Sequence, residues 1–218
     1  MDEFKKTFMS YFDDENKDMC VLLAIEALNK HTLTIKELYE DVLRTALNSI
    51  NSVNDKDEDD NDSIWKEHIK TSIIRTVIES VYPFVIREKN KVSQLGIKVV
   101  LVCPEKEYHE IGLRMISDFF ALNGYQPIFI GTNTPKDQVC IAISKTRPKY
   151  VAISVTDYYL LFEAQKMISK IKANNKDIKI IVGGNAFKHN LNSISKIGGD
   201  IYLESFADIF NLSKGDVK

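Results

Sequence analysis

A chain of 218 residues, 44% of them hydrophobic and with a net charge of −2, has enough apolar material for one large domain or two small ones, and no basic field that would draw nucleic acid or an anionic membrane. No apolar run approaches the roughly 20 residues needed to cross a bilayer, and the amino terminus lacks the continuous apolar stretch of a secretory signal. Three scattered cysteines, Cys20, Cys103 and Cys140, make neither a metal-type pair nor a disulfide framework, so the expected location is the cytoplasm.

In chain order, residues 1–90 read as an all-α bundle. Residues 20–29 form a leucine-rich amphipathic stretch. Thr34-Ile35-Lys36-Glu37 is a capping box from which a helix runs towards Ile50. The run of residues 54–62 is too charged to pack and reads as a solvated loop; it lacks the glycine and the terminal glutamate of a calcium loop. Ser63 caps the next helix, which continues to about Val81, and Pro83 either closes that helix or opens another ending near Arg87. On a helical wheel Trp65, His68, Ser72, Arg75 and Glu79 share one face, and Ile69, Ile73, Val77 and Val81 turn to the core.

After a linker the period changes, and residues 95–218 read as a second domain. Strands are expected at residues 97–103, 127–130, 150–154, 178–182 and 201–203. Helices are expected at 110–123, stopped by Gly124, from Pro135 through Ile143, at 159–173, briefly after Gly184, and at the carboxyl end. Five short apolar strands alternating with helices imply a parallel sheet covered on both faces. The fold class is therefore α/β flavodoxin-like, or Rossmann-like, preceded by a helical bundle. Ligands of such sheets lie outside the carboxyl ends of the strands, at the switch point beside the first strand.

Three loops meet at that edge. The first carries Glu107, His109 and Gly112, the second Ser154 and Thr156, the third Gly183 and Gly184. Taken singly these are a helix-start carboxylate with an exposed histidine, strand-end hydroxyls and a plain glycine turn. Cys103 reads as a small core residue. Together they form Glu107-x-His109-x-x-Gly112, then 41 residues, Ser154-x-Thr156, then 26 residues, and Gly183-Gly184. This matches the three-part signature of cobalamin-binding domains, and the chain resembles the family found in methionine synthase, corrinoid methyl carriers, base-off mutases and cobalamin-dependent photoreceptors. The segment from Glu107 to Met115, with Gly131-Thr132-Asn133-Thr134-Pro135 downstream, looks most like the photoreceptor and stand-alone regulator branch.

The resemblance implies cobalamin as cofactor, held base-off, with His109 as the lower axial ligand to cobalt in place of the cofactor's own base. It implies Glu107 as the group that orients His109, Ser154 and Thr156 facing the nucleotide tail, and Gly183 and Gly184 admitting it. Glu107 stands where the family has an aspartate, which leaves open whether it reaches the imidazole directly or through water. Thr156 stands where the family has a leucine. The helical half then resembles the cap over the cofactor's upper face, with Glu67 and His68 matching the Glu-His pair of photoreceptor-type bundles and Trp65 beside them. The photoreceptor tryptophan position is Asp57, and the place of its upper histidine ligand is Glu58. The upper ligand, whether methyl, adenosyl or hydroxo, stays open.

Two functions follow from the resemblance. One is a sensor or regulatory module that passes the cofactor's state to a protein partner; the other is a corrinoid methyl carrier serving separate methyltransferase subunits. Neither makes the chain an enzyme by itself. A haem or flavin sensor on the same fold is a third reading, and a receiver domain is disfavoured because Cys103-Pro104 offers no acid pair after the first strand. No nucleic-acid-binding segment is evident before the bundle, and self-association stays open.

Overall fold

The computed structural model describes residues 1–53, 63–188, 191–203 and 205–217. The acidic run 54–62, with Asp57 and Glu58, and the capping side chain of Ser63 lie outside the described residues. The chain divides into two compact units, Met1–Glu88 and Lys89–Lys218.

The first unit is helical. In α1 (Asp2–Asp13), Phe4, Phe8 and Phe12 stack at successive i,i+4 positions, and Phe8 and Phe12 are fully buried. Asn16 caps α2 (Lys17–Asn29) by accepting from the Met19 N–H at 3.2 Å, and α2 buries Cys20, Ala24, Ala27 and Leu28. The Thr34–Glu37 capping box is present: the Glu37 N–H donates to Thr34 Oγ1 and the Thr34 N–H to Glu37 Oε2. From it α3 (Ile35–Glu37) passes through a π-helical stretch, Leu38–Leu43, into α4 (Arg44–Val53).

α5 spans Ser63–Lys89 with Pro83 inside it, so the expected break at Pro83 does not occur. A proline there removes one hydrogen bond to the carbonyl of residue 79. Pro83 lies on the exposed side, while Val81 and Val85 on either side of it are fully buried. Water can serve the orphaned carbonyl, and core packing carries the helix through. The wheel expectation holds except at Ile69, which is half-buried: Trp65, His68, Ser72, Arg75 and Glu79 are exposed, and Ile73, Val77 and Val81 are buried.

The second unit contains one five-stranded parallel sheet in the order β2-β1-β3-β4-β5, formed by β1 (Lys98–Val102), β2 (Gln126–Gly131), β3 (Tyr150–Ser154), β4 (Lys179–Gly183) and β5 (Ile201–Tyr202). The connecting helices are α6 (Ile111–Leu122), α7 (Lys136–Thr146), α8 (Leu161–Asn174) and α9 (Asn192–Ile197), and α10 (Phe206–Asp216) follows the last strand. After α6 the chain turns at Gly124, whose φ of +85° is the left-handed stop expected there. β1, β3 and β4 are apolar runs buried on both faces, as a helix-covered parallel sheet requires. The winding reverses between β1 and β3, which opens a crevice at their carboxyl ends.

At the opposite end of the sheet, α10 is tied down by one carboxylate. Asp216, whose side chain is 5% exposed, accepts from Tyr125 Oη at 2.8 Å and Tyr150 Oη at 3.0 Å and pairs with Lys149. Burial pushes this carboxyl up, but the bonds from Lys149, Tyr125 and Tyr150 outweigh it and hold the group below the usual carboxylate range. A carboxylate with a lowered native pKa stabilises the fold above its unfolded pKa and loses that contribution as the pH falls through the native one. Asp216→Asn is expected to lower stability by about 1–3 kcal/mol at neutral pH, with the gap to wild type closing below about pH 4. Urea unfolding across that range checks it, and a gap that does not change with pH would contradict it.

Candidate cofactor site

β1 delivers the chain to the crevice through a short loop. Cys103 and Pro104 are buried, and the Cys103 N–H donates to the Gly131 carbonyl at 2.8 Å. The Cys103 thiol lies 3.8 Å from the His109 carbonyl, and burial pushes its pKa well up, so it packs as an uncharged core side chain.

Four residues on, Glu107 is 0% exposed. Its Oε1 lies 2.6 Å from His109 Nδ1 and accepts from the His109 backbone N–H at 3.0 Å. Its Oε2 accepts from the backbone N–H of Thr156 at 2.8 Å and of Asp157 at 3.3 Å, both on the loop after β3. Burying a carboxylate is costly unless each oxygen finds donors, and here each has two. Burial pushes the Glu107 carboxyl up, but the His109 ring and the three backbone bonds outweigh it and hold it below the usual range. The carboxylate therefore touches the imidazole directly, with no water between. The same carboxylate spans to the β3 loop.

The bond from Nδ1 fixes the His109 ring and tautomer and leaves Nε2 as the nitrogen for any metal. The His109 side chain is 53% exposed. Beyond it α6 begins, and Gly112 in its first turn has nothing within 4 Å of where a Cβ would stand. The fold itself does not need a glycine there, so the bare position leaves room for something outside the chain.

Ser154 ends β3 and pairs in register with Gly183. Thr156 contributes its backbone N–H, to Glu107. At Gly183 a Cβ would stand 2.7 Å from the Leu203 carbonyl oxygen, and at Gly184, with φ +107°, 2.3 Å from that of Val155. The glycine pair lets the ends of β3, β4 and β5 close against one another by backbone contact. Glu107, His109, Ser154, Thr156, Gly183 and Gly184 thus meet at one edge, with Gly112 at the start of the adjoining helix. Trp65, Glu67 and His68 lie on the helical unit: Trp65 and His68 are exposed, Glu67 is half-buried, and Lys66 Nζ is 5.5 Å from the Trp65 ring centre.

Sequence reasoning singled out the β2–α7 loop only by resemblance, and missed the Asp157 N–H and the bonds by which that loop holds the Glu107 segment. That loop bonds the Glu107 segment twice through Asn133, and Lys136 at the start of α7 adds two more, its backbone N–H donating to Glu105 Oε1 at 2.9 Å and its Nζ at 3.1 Å. An asparagine ahead of the helix-opening Pro135 was the available signal, since asparagine tolerates left-handed turns.

One imidazole backed by a carboxylate suits a metal that brings its own equatorial ligands. Among the described residues no group of three or more His, Cys, Asp or Glu is arranged to hold a bare ion. Residues 97–201 match the model of the B12 binding domain family. The match takes in most of the sheet unit, and cobalamin, or B12, is the cofactor for which that domain family is named. The chain is 24% identical over 146 residues to the HTH-type transcriptional repressor CarA of Myxococcus xanthus, covering 67% of this chain and 49% of the repressor. It is 28% identical over 116 residues to a methanol–corrinoid protein of Methanosarcina barkeri, covering 51% of this chain and 43% of that protein. The chain spans about half the length of the curated relatives it matches. The fold of the monomethylamine corrinoid protein of Methanosarcina barkeri superposes with a TM-score of 0.78 over 99% of both chains at 17% identity. A chain of the Methanosarcina barkeri methanol:cobalamin methyltransferase complex MtaBC superposes at 0.51 and 18% identity, over 99% of this chain and 80% of that one. At these identities the two structures share a fold with this chain. Among the described residues no helix is long and apolar enough to cross a membrane.

The glycines separate by what surrounds them. Gly184→Ala is expected to cost about 2–4 kcal/mol, because a Cβ meets Val155 backbone at a positive φ. Gly112→Ala is expected to stay within about 1 kcal/mol of wild type or to gain stability. Thermal unfolding without cofactor measures both, and equal losses would contradict the distinction.

Proposed function

We propose that the sheet unit holds cobalamin base-off, with His109 Nε2 as the lower ligand to cobalt. The observation that carries this is the fully buried Glu107 bound to His109 Nδ1 at the sheet's switch point, with the ring half-exposed. When bound, cobalamin supplies an organometallic centre whose upper ligand can be exchanged. The protein's own residues hold and orient it. Glu107 keeps the imidazole in one tautomer and raises its basicity. Gly112 clears the ground beside His109, and Ser154 and Thr156 face the nucleotide tail over the floor closed by Gly183 and Gly184.

Titration with methylcobalamin tests this by absorbance. Wild type should give a spectrum that depends on the lower ligand and is lost in His109→Ala. Glu107→Gln should weaken binding about 10–100-fold, since its amide NH2 must face N–H donors where a carboxylate oxygen stood. Identical titrations for wild type and His109→Ala would sink the reading.

On this basis the chain acts as a cobalamin-dependent sensor or regulatory module and not as an enzyme in its own right, its protein partner receiving the cofactor's ligand state. The exposed face of α5 supports this: it carries Trp65 and His68, with Glu67 half-buried beside them, groups of the kind that recognise an upper ligand, where a carrier that must release its cofactor needs apolar cover. The second reading, a corrinoid methyl carrier serving methyltransferase subunits, is favoured by the likeness to the methanol–corrinoid protein and to the monomethylamine corrinoid fold. Illuminating the protein loaded in the dark with adenosylcobalamin or methylcobalamin separates the two. A light-driven change in spectrum that His68→Ala alters supports the sensor. Light-insensitive spectra, unchanged by His68→Ala, with methyl transfer to an added methyltransferase support the carrier.

A further inference from the structure

We propose that Asn133, in the β2–α7 loop, is a positioning residue for the Glu107–His109 pair; this rests on the histidine ligation proposed above. The segment before Glu107 is a tight turn closed by the Glu107 N–H to the Pro104 carbonyl at 3.1 Å. Its third residue, Lys106, stands at φ +70°, a left-handed conformation that suits glycine or asparagine and costs a lysine about 1 kcal/mol or more. The turn therefore needs an outside partner to persist. Asn133 provides two bonds across it: Oδ1 accepts from the Lys106 N–H at 3.1 Å, and its own N–H donates to the Glu107 carbonyl at 3.2 Å. Asn133 itself stands at φ +48°, so both bonds depend on a residue that accepts the left-handed region and carries a short acceptor.

The result is a chain of constraint from β2 to the imidazole. Asn133 holds Lys106 and the Glu107 backbone; the Glu107 side chain then holds the His109 ring and the Thr156 and Asp157 amides. With the Lys106 bond removed, the turn relaxes and Glu107 loses its fixed approach to Nδ1. Asn133 is exposed and bonds this segment through the segment's backbone groups, so its influence on cobalt runs through the Glu107 backbone.

Two substitutions separate acceptor from backbone shape. Asn133→Gly keeps access to the left-handed region and removes Oδ1; Asn133→Asp keeps both. In methylcobalamin titrations of the full chain, Asn133→Gly should weaken affinity about tenfold and shift the bound spectrum towards that of His109→Ala. Asn133→Asp should restore both, and any fall in cofactor-free melting temperature should be confined to Asn133→Gly. Wild-type affinity and spectrum in Asn133→Gly, or equal loss in Asn133→Gly and Asn133→Asp, would overturn the clamp alone. A wild-type titration indistinguishable from that of His109→Ala would overturn the histidine reading and the clamp with it.

Discussion

Everything at the carboxyl edge of this sheet is organised around one buried negative charge. A fully desolvated carboxylate survives in a protein only when its oxygens are saturated with donors, and Glu107 draws its donors from two separate loops. Satisfying Oε2 requires the backbone after β3 to turn inward at Thr156 and Asp157. That turn requires Val155 to approach Gly184 so closely that no side chain fits there. Satisfying Oε1 requires the His109 ring to present Nδ1. The orientation of the imidazole, the path of the β3 loop and the bareness of the glycine turn are therefore consequences of the same charge.

This coupling gives the three signature segments a meaning beyond contact with a ligand. Read one by one, a glycine pair suggests room for a bulky group and a threonine suggests a hydroxyl donor. In the folded chain the glycine pair is first a close crossing of backbones, and Thr156 acts first through its amide. Gly112 is the exception, since among the described residues nothing lies within 4 Å of where its Cβ would stand. An edge braced in this way lowers the ordering cost of binding a ligand there.

Much of this was legible in the sequence because strands covered on both faces read as apolar runs, and because β1, β3 and β4 end in residues that have little use in a core. The capping box at Thr34 and the stop at Gly124 are local chemistry and appear where local chemistry puts them. Pro83 was not legible: its effect depends on which side of α5 meets water, and that is set by the packing of Val81 and Val85. The reach of Glu107 was not legible either. Its bond from the Thr156 amide is a contact between residues 49 apart. The bond from Lys106 to Asn133 escaped notice for the same reason, since it spans 27 positions.

The most direct test of the account is electron paramagnetic resonance of cob(II)alamin bound to protein whose histidines carry the heavier nitrogen isotope. The unpaired electron on cobalt couples to a single axial nitrogen, and ordinary nitrogen splits each cobalt line into a triplet. If His109 is the lower ligand, the triplets become doublets in the labelled protein and the doublets vanish in labelled His109→Ala. Triplets that persist in the labelled wild type would mean that the cofactor keeps its own base, and would contradict the account.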